Sequence, residues 1–392
     1  MLSPESAATV RATLAVIGAN IDDITARFYS MMFTDNPELL RDLFNRGNQA
    51  NGEQRRALAG SIAAFAATLV QTPQARPATM LDRIAHKHAS LNVTSDQYVI
   101  VHKYLFAAIA DVLGDAVTPD VAQAWDEVYW LMAGELIGRE AVLRRDAKTD
   151  WITATVIERR AETPDVVSLV LRPSVPASFL PGQYVSVVVP LPDGARQIRQ
   201  YSLSCAPERG DWRITVKRVR GGDTPDGEVS NRLYEDVVPG DVLTVSAPFG
   251  DLVLRPGDTP LLLVSAGIGV TPMLSMVDHL AATGSTRRVT VVHADRSPAC
   301  HAHREELERL VAALPGAGLH RWYEEGCDGA GAPANSGQAD LTGLDLPDGV
   351  QVYLCGPLPF MRAVRSQLAG RGVPSSDIHY EVFGPDLWLA QD

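Results

Sequence analysis

The chain has 392 residues, 47 of them acidic and 35 of them lysine or arginine, which gives a formal net charge of −12. This length exceeds what one hydrophobic core usually serves, so two or three domains are expected. The acidic balance argues against nucleic acid or an acidic membrane as a partner, because either would require a basic face. With no leader pattern and no run of about eighteen apolar residues, the sequence predicts a cytoplasmic protein without an obligate membrane partner.

The cysteines are scattered, with no CxxC pair and no short zinc-type spacing. This scattered distribution of cysteines is typical of proteins in a reducing cytoplasm, where disulfides are rare. The four cysteines are Cys205, Cys300, Cys327 and Cys355.

Residues 1–148 carry apolar residues at helical spacing, which predicts an all-α domain. Its first helix is expected to begin with Ser3 as N-cap and Pro4 at the first helical position. A later helix is expected to follow a Ser95 cap. The predicted helix breaks are Asn36-Pro37, Thr72-Pro73, Arg76-Pro77 and Thr118-Pro119.

One histidine of this region is predicted to point inward. The apolar stripe over residues 81–85 ends on His88, whereas His86 is turned about 200° away and should face solvent. A lone inward histidine is usually a hydrogen-bonded core residue. Here Tyr98 and Glu140 also lie on inward helix faces, and a buried carboxylate requires a partner. We therefore expect a hydrogen-bonded relay that strengthens the imidazole as a metal ligand.

Two further polar residues are candidate donors to a ligand opposite that histidine. Tyr29 lies in the helical segment 24–33, and Gln54 shares a helix face with Leu58. Each alone is more often a core tyrosine or a surface glutamine. Their combination with an inward histidine indicates a ligand pocket.

Seven short motifs occur in order along this region: Phe28-Tyr29, Phe44-Asn45, Asn48-Gln49, Gln54-Arg55, Lys87-His88, Gln97-Tyr98 and Arg139-Glu140. With them the region resembles a bacterial globin, and the whole chain resembles the flavohaemoglobins, in which a globin is joined to a reductase. The resemblance implies that His88 binds the iron of haem b and that Lys87 lies near the haem and flavin interface. It also implies the remaining pocket and catalytic residues, which are Phe28, Tyr29, Phe44, Gln54, Leu58, Tyr98 and Glu140.

Residues 149–256 change to short alternating segments separated by turns such as Pro181-Gly182 and Pro239-Gly240. Six such strands predict a small antiparallel β-barrel. The segments are Trp151–Arg160, Val166–Arg172, Tyr184–Val189, Arg199–Ser204, Trp212–Arg218 and Val242–Ala247.

Within this barrel the segment Arg199–Ser204 combines a cation, an aromatic ring and hydroxyls. Alternation places Arg199, Tyr201 and Leu203 on one strand face. A flavin ring needs an aromatic neighbour and a hydroxyl, and its phosphates need a cation. The segment is therefore either a flavin site or an ordinary barrel strand with a surface arginine.

Three motifs in the barrel, Pro181–Tyr184, Arg199–Ser202 and Gly227–Asn231, resemble the flavin-binding segments of the ferredoxin reductase-like family. The resemblance implies an FAD domain, in which backbone N–H groups of the third motif bind the phosphates. The loop 221–227 is longer than the compact form common in that family. The implied FAD-binding residues of the barrel are Tyr184, Arg199, Gln200, Tyr201, Ser202, Gly227, Glu228, Val229 and Ser230.

Residues 257–392 contain a β-α-β unit in which the buried strand 261–264 runs into a glycine turn and a helix. A pyrophosphate is usually bound at such a helix N-terminus. The third glycine of the dinucleotide fingerprint is absent, with Pro272 in its place, so a standard Rossmann motif is excluded. The form G-x-G-x-T-P instead resembles the NAD(P)H lobe of the same reductase family, which implies an α/β domain with a parallel sheet.

The same resemblance implies the remaining cofactor residues. Cys355 is expected near the nicotinamide, Phe383 over the flavin and Glu381 as a residue that tunes the redox centres. Asp295 and Arg296 end a strand where ribose selection is often made. An arginine there could favour the 2′-phosphate of NADPH, whereas the flavohaemoglobins mostly prefer NADH, so NADH is slightly favoured. The NAD(P)H set is Gly267, Ile268, Gly269, Val270, Thr271, Pro272, Cys355, Gly356 and Pro357. The C-terminal FAD set is Glu381, Val382, Phe383, Gly384 and Pro385.

Taken along its full length, the resemblance implies a nitric oxide dioxygenase. NAD(P)H would reduce FAD, FAD would reduce haem, and O2 bound at the haem would oxidise nitric oxide to nitrate. One alternative is a reductase that acts on ferric iron, a quinone or a peroxide. Another is a sensor of oxygen or nitric oxide, which is disfavoured because a complete reductase follows the globin. A monomer is expected, with O2 and nitric oxide as its small-molecule partners.

Overall fold

The computed structural model describes residues 2–50, 52–72, 77–221, 225–326 and 334–385. Cys327, Pro73, Arg76 and part of the loop 221–227 lie outside these residues. The described chain forms two compact units. The first lies within Met1–Asp150, Val188–Arg199 and Gly384–Asp392, and the second within Trp151–Val187 and Gln200–Phe383.

The N-terminal region is helical, as predicted, and its first, seventh and eighth helices begin at residues whose side chains cap them. Ser3 accepts a hydrogen bond from the N–H of Ser6, and Thr118 accepts one from that of Val121. Thr94, rather than Ser95, caps the seventh helix, because its side chain forms a capping box with Gln97. The helices are α1 (Pro4–Ala19), α2 (Ile21–Asp35), α3 (Pro37–Asp42), α4 (Arg46–Ala50), α5 (Glu53–Gln71), α6 (Ala78–Ser90), α7 (Ser95–Leu113) and α8 (Pro119–Ala147).

One apolar core serves these helices. Val10, Phe28, Phe65, Leu81 and Leu136 are all buried, and each comes from a different helix. Burial of each such side chain contributes about 1.5–3 kcal/mol before the cost of ordering the chain. The core therefore fixes which helix faces point inward. No helix among the described residues is long and apolar enough to cross a membrane.

Six antiparallel strands follow in the order β4-β3-β6-β1-β2-β5. The edge strands meet at a bridge between Leu203 and Ile214, which closes the sheet into a barrel. The fourth strand begins at Arg196, three residues before the predicted start, and therefore includes the buried Gln197. The elements are β1 (Trp151–Thr163), β2 (Val166–Pro173), β3 (Tyr184–Pro190), β4 (Arg196–Ser202), β5 (Trp212–Lys217), α9 (Glu228–Glu235) and β6 (Val242–Ser246).

The C-terminal region forms a parallel sheet in the order β10-β9-β8-β7-β11-β12. From β7 the chain adds β8, β9 and β10 on one side of the sheet, and it then returns to add β11 and β12 on the other side of β7. In open α/β sheets, ligands bind at the point where the order of strands reverses in this way, which here lies between β7 and β11. The elements are β7 (Leu261–Ala266), α10 (Val270–Ala282), β8 (Val289–Asp295), α11 (Arg304–Ala312), β9 (Gly318–Tyr323), β10 (Asn335–Ser336), β11 (Gln351–Cys355), α12 (Leu358–Gly370) and β12 (Ile378–Glu381).

A buried polar network joins the barrel to α11. The guanidinium of Arg213, on β5, donates to Glu306 at 2.8 Å, and Nδ1 of His303 lies 3.1 Å from the same carboxylate. The other ring nitrogen of His303 lies 2.9 Å from the hydroxyl of Thr215. Burial by itself would raise the pKa of Glu306, but the contacts with His303 and Arg213 outweigh it and lower that pKa to about 2. The carboxylate is thus held in its charged form.

We expect Glu306 to make the protein sensitive to acid. Its pKa is lower in the folded chain than its ordinary value of 4.5, so its stabilisation is complete above pH 4.5 and is lost as the pH falls towards 2. Near neutral pH, Glu306→Gln should reduce the free energy of unfolding by up to about 3 kcal/mol. Denaturant unfolding of both proteins between pH 2 and 6 measures the difference, which should shrink as the pH falls. A difference that is constant with pH would contradict the assignment.

Candidate functional site

The predicted relay residues lie together in the helical region. Nδ1 of His88, on α6, lies 2.9 Å from both the Tyr98 hydroxyl and Oε1 of Glu140. The Tyr98 hydroxyl in turn donates to Oε1 of Glu140 at 2.5 Å. Glu140 lies on α8 with none of its surface exposed. Three helices thus contribute one side chain each to a single hydrogen-bonded cluster.

The chemistry of this cluster fixes the tautomer of His88. Burial, and after it the charge of Glu140, raise the pKa of Tyr98 far above its usual value, so its hydroxyl stays protonated and donates. The carboxylate can only accept, so Nδ1 carries the proton and donates to Glu140. In the neutral ring Nε2 of His88 then has a free lone pair, and this atom has no hydrogen-bond partner among the described residues. This donor set fits haem iron, which needs one neutral imidazole supported by an acceptor.

The second histidine of α6 lies elsewhere. His86 lines an open groove between α6 and α8, beside Trp130 and Glu135. It is half-buried, whereas the helical spacing predicts a solvent-facing side chain, because α8 covers part of that face. The described partners of Nδ1 of His88 are Tyr98 and Glu140.

Tyr29 is the polar centre of a second cluster, which is otherwise aromatic. The tyrosine is 5% exposed, and the rings of Phe28, Phe33 and Phe44 lie with their centroids 4.6, 5.5 and 5.9 Å from its own. Burial raises the pKa of Tyr29 well above its usual value, while a hydrogen bond with Gln54 partly opposes that rise. The hydroxyl therefore stays protonated and can donate to a ligand. Leu58, the next predicted pocket residue, packs half-buried against the same core.

Gln49 is a polar neighbour of Tyr29 that belongs to one of the globin-like motifs but is not among the predicted pocket residues. Its amide also lowers the pKa of Tyr29, so it lies near the hydroxyl. Its Nε2 is nevertheless buried without a hydrogen bond of good geometry among the described residues. A buried donor without a partner is costly, so this amide is available to a ligand. The feature of the sequence that could have identified Gln49 is the globin-like motif Asn48-Gln49.

The predicted flavin residues of the barrel lie on β3 and β4. The hydroxyl of Ser186 accepts a hydrogen bond from Gln200 at 3.1 Å. Tyr184 and Ser202 are buried, whereas Arg199, Gln200 and Tyr201 are partly exposed. Gly182 has φ of +105°, and a Cβ there would clash with the carbonyl of Leu252. A row of partly exposed polar side chains beside a turn that only glycine can form suits a flat, polar ligand.

The third flavin motif begins α9. Gly227 is its N-cap, so the N–H groups of the following residues, Glu228 and Val229, open the helix. The hydroxyl of Ser230 accepts from the N–H of Val219 at 3.1 Å, so it already has a hydrogen-bond partner within the protein. The backbone, more than the Ser230 side chain, is thus the part able to bind a phosphate.

The predicted nicotinamide residues meet at the switch point of the parallel sheet. Gly267–Gly269 follows β7 and leads into α10, while Cys355 ends β11 beside Ser265. A Cβ on Gly269 would clash with the Cys355 carbonyl, so only glycine permits this approach. Burial, together with the charge of Glu381, raises the pKa of Cys355 well above its usual value. Its thiol is therefore protonated and not a nucleophile.

The segment that follows β12 completes the predicted set. Glu381 pairs in register with Cys355 and is 9% exposed, whereas the ring of Phe383 is 46% exposed. Nζ of Lys87 donates to the carbonyl of Gly384 at 2.8 Å. An exposed phenylalanine ring at the edge of the sheet offers a surface for a flat ligand. Val382 is half-buried and Pro385 is buried.

The cysteines form no disulfide within the described chain, where Cys205, Cys300 and Cys355 are free. Burial raises the pKa of Cys205 to about 11, so this thiol too is protonated. Neither buried cysteine is suited to nucleophilic chemistry.

Comparison with protein families gives three matches in chain order. Residues 26–136 match the globin family, residues 153–253 match the oxidoreductase FAD-binding domain, and residues 263–366 match the oxidoreductase NAD-binding domain. The matches follow the helical region, the antiparallel barrel and the parallel sheet in turn. The chain is therefore an oxidoreductase with haem, FAD and nicotinamide dinucleotide as its cofactors.

Proteins similar over the whole chain support the same conclusion. A flavohemoprotein of Bordetella parapertussis is 42% identical, over 98% of this chain and 99% of that protein. One of Rhizobium meliloti is 39% identical, over 99% and 100%.

Two solved structures are also similar. Flavohemoglobin from Malassezia yamatoensis, with bound FAD and heme, has a TM-score of 0.90 at 39% identity, with 98% of this chain and 100% of that chain covered. The FAD/NAD-binding domain of a nitric oxide dioxygenase from Vibrio cholerae has a TM-score of 0.56 at 38% identity, with 60% and 100% covered. With this extent of similarity along its entire length, the chain belongs to the flavohaemoglobin family.

Proposed function

We propose that this flavohaemoglobin is a nitric oxide dioxygenase that uses NAD(P)H and O2 to convert nitric oxide to nitrate. The observation that carries the proposal is the buried Tyr29 hydroxyl with the amides of Gln54 and Gln49 beside it. We further propose the domain boundaries 1–148, 149–256 and 257–392. When bound, the cofactors supply the redox chemistry, which passes electrons from NAD(P)H to the site where O2 and nitric oxide react.

The proximal residues would hold the iron and set the electron donation of its ligand. His88 presents Nε2 as the ligand atom because Nδ1 donates to Glu140. The buried carboxylate increases the basicity of the imidazole, and Tyr98 keeps that carboxylate in place. His88 supported in this way would be a strongly electron-donating ligand to the haem when it is bound.

The distal residues would stabilise the charge that develops on O2. A protonated tyrosine and amide donors in a site with few polar groups form strong hydrogen bonds to a partly negative oxygen. The rings of Phe28 and Phe44 exclude water from the tyrosine. Leu58 and Gln54 complete the proposed pocket on α5.

The reductase residues would bind the two dinucleotides. Tyr184, Tyr201 and Ser202 would contact the flavin ring, Arg199 its phosphates and Phe383 its outer face. The N-terminus of α10 and that of α12, after Pro357, would bind the nicotinamide dinucleotide. Cys355 and Glu381 lie in register on adjacent strands and would be near the reacting ring.

The products of turnover test the proposal. Purified protein is supplied with NAD(P)H, O2 and nitric oxide, and nitrate is measured against NAD(P)H consumed. A dioxygenase should form two nitrate ions for each NAD(P)H, since the nicotinamide supplies two electrons and each nitrate requires one. Steady NAD(P)H oxidation with little nitrate would instead favour a reductase for ferric iron, a quinone or a peroxide. Tight binding of nitric oxide without turnover would favour a sensor.

The end of β8 leads us to expect a preference for NADH. The Oδ1 atom of Asp295 accepts from the N–H of Arg296 at 2.8 Å, which holds the carboxylate at the carboxyl edge of the sheet. A carboxylate there accepts from a ribose 2′-hydroxyl and repels a 2′-phosphate. Asp295→Ser should therefore lower the ratio of kcat/KM for NADH over NADPH by about tenfold. An unchanged ratio in steady-state assays would remove Asp295 from this role.

A further inference from the structure

One buried glutamine contacts both the proposed flavin segment and the backbone that carries part of the distal pocket. Gln197 lies on β4, two residues before Arg199, and its side chain is fully buried. Val188–Arg199 belongs to the same compact unit as the helices, where Gln197 contacts residues Leu40–Arg46. We name Leu40–Arg46 the distal segment.

The amide nitrogen of Gln197 holds the distal segment through its backbone. Nε2 donates to the carbonyls of Leu40, Arg41 and Phe44 at 3.2, 2.9 and 3.2 Å. An amide nitrogen has only two hydrogens, so the three carbonyls share them. One side chain therefore satisfies the carbonyls where α3 ends, a position at which helices leave such groups without partners.

The amide oxygen of Gln197 links the distal segment to Arg199, the residue proposed to bind the flavin phosphates. Oε1 accepts from the N–H of Arg46 at 3.3 Å and from Nη1 of Arg199 at 3.1 Å. Nη1 of Arg199 also donates to the carbonyl of Ile198 at 2.8 Å. The guanidinium proposed to bind flavin phosphates is thus one bond from the amide that holds the distal segment.

Both ends of the distal segment lead to the neighbourhood of Tyr29. The ring of Phe44 lies edge-on to that of Tyr29, with centroids 5.9 Å apart. Arg46 is the first residue of α4, which carries Gln49. A shift of the Gln197 amide would therefore move the aromatic wall and one amide donor of the pocket together.

The other contacts between Val188–Arg199 and the distal segment hold that segment less firmly. Arg46 pairs with Asp193 at 2.8 Å, but Asp193 is 54% exposed, and such surface ion pairs contribute little. The N–H of Arg196 donates to Asp42 at 3.1 Å in an exposed position. The fully buried amide is the contact that water cannot replace.

We propose that Gln197 is a positioning residue that couples flavin binding at Arg199 to ligand binding in the distal haem pocket. The proposal rests on the flavin and distal roles proposed above. Phosphate bound to Arg199 would redirect Nη1, and Oε1 of Gln197 would then rely on Arg46 alone. The Gln197 amide and the distal segment would therefore take different positions with and without FAD bound at Arg199. Coupling of this kind is reciprocal, so ligands at the haem would also alter flavin affinity.

The test uses carbon monoxide as a haem probe in the full-length protein, with and without FAD. In the wild type, loading with FAD should change the CO dissociation rate of the ferrous protein by about fivefold or more and shift the C–O stretching frequency. In Gln197→Met, which keeps the volume but removes the amide, both changes should disappear. Gln367→Met is the matched control, because Gln367 also bonds backbone groups, at Leu341 and Ala339, but in the other unit. It should retain the wild-type response.

The outcomes separate this proposal from the proposed function. A wild-type response to FAD of less than twofold, or one that survives in Gln197→Met, overturns the coupling whatever the nitrate yield is. If Gln197→Met does not fold, Gln197→Asn keeps the amide but shortens its reach and should also lose the response. A lost response together with the expected nitrate stoichiometry supports both proposals. A low nitrate yield with the response intact in the wild type and lost in Gln197→Met supports the coupling alone.

Discussion

Replacement of His88 by alanine is expected to abolish haem binding, whereas replacement of His86 is not. His88 presents a neutral Nε2 and has a buried carboxylate behind it, whereas His86 lies in an open groove. Even the partners of a metal ligand contribute 10–100-fold to affinity, so loss of the ligand itself should cost at least about 100-fold. The Soret absorption of the purified proteins, normalised to the flavin band, measures the difference.

Two controls sharpen this experiment. Added imidazole should restore part of the Soret band in His88→Ala, because a free imidazole can occupy the space left by the side chain. Glu140→Gln should retain haem but alter the iron–histidine stretching frequency, since an amide is a weaker acceptor than a carboxylate. A Soret band of normal intensity in His88→Ala without imidazole would overturn the ligand assignment.

Tyr29→Phe should release O2 from the ferrous protein roughly 10- to 150-fold faster, because a hydrogen bond to a charged group contributes about 1.5–3 kcal/mol. The ring and its contacts with Phe28 and Phe44 remain, so the change removes the hydroxyl alone. Nitric oxide turnover should fall, while reduction of the flavin by NADH should not change. Stopped-flow mixing of the oxygenated protein with carbon monoxide measures the release rate.

Tyr104→Phe provides the matched control for Tyr29→Phe. Tyr104 is also a buried tyrosine of the helical region, but its hydroxyl donates to Asp35 at 2.8 Å. The control should leave O2 release unchanged within twofold. If both variants released O2 at the wild-type rate, Tyr29 would have no role in stabilising the ligand.

The fold class and the family were predicted from the sequence and are confirmed. The grouping of His88, Tyr98 and Glu140 was also foreseen, because each lies in a long amphipathic helix where periodicity fixes the inward face. The predicted site roles stay predictions. The Ser95 cap was wrong by one residue, since Thr94 and Ser95 are both good caps and only the bond with Gln97 decides between them.

The buried positions of two glutamines could not be predicted from the sequence. Gln197 gave no signal, because a polar residue in a strand suggests solvent and its partners are about 150 residues away along the chain. Gln49 lies in the short helix α4, which has no periodicity to show an inward face. The inward position of each side chain depends on tertiary contacts that no local periodicity shows, although Gln49 also belongs to a motif of the family resemblance.

The hydrogen bonds of Gln197 also constrain the order in which the chain can complete its fold during synthesis. The N–H of Arg46 and the amide that receives it are separated by 151 residues. At ribosomal rates of about 5–20 residues per second, the glutamine is made roughly 8 to 30 s after its partner. Until Gln197 has been synthesised, the carbonyl groups at the end of α3 can accept hydrogen bonds only from water in its place. A chain truncated at residue 148 would therefore lack the Gln197 amide altogether, and the backbone of Leu40–Arg46 would have only water in its place.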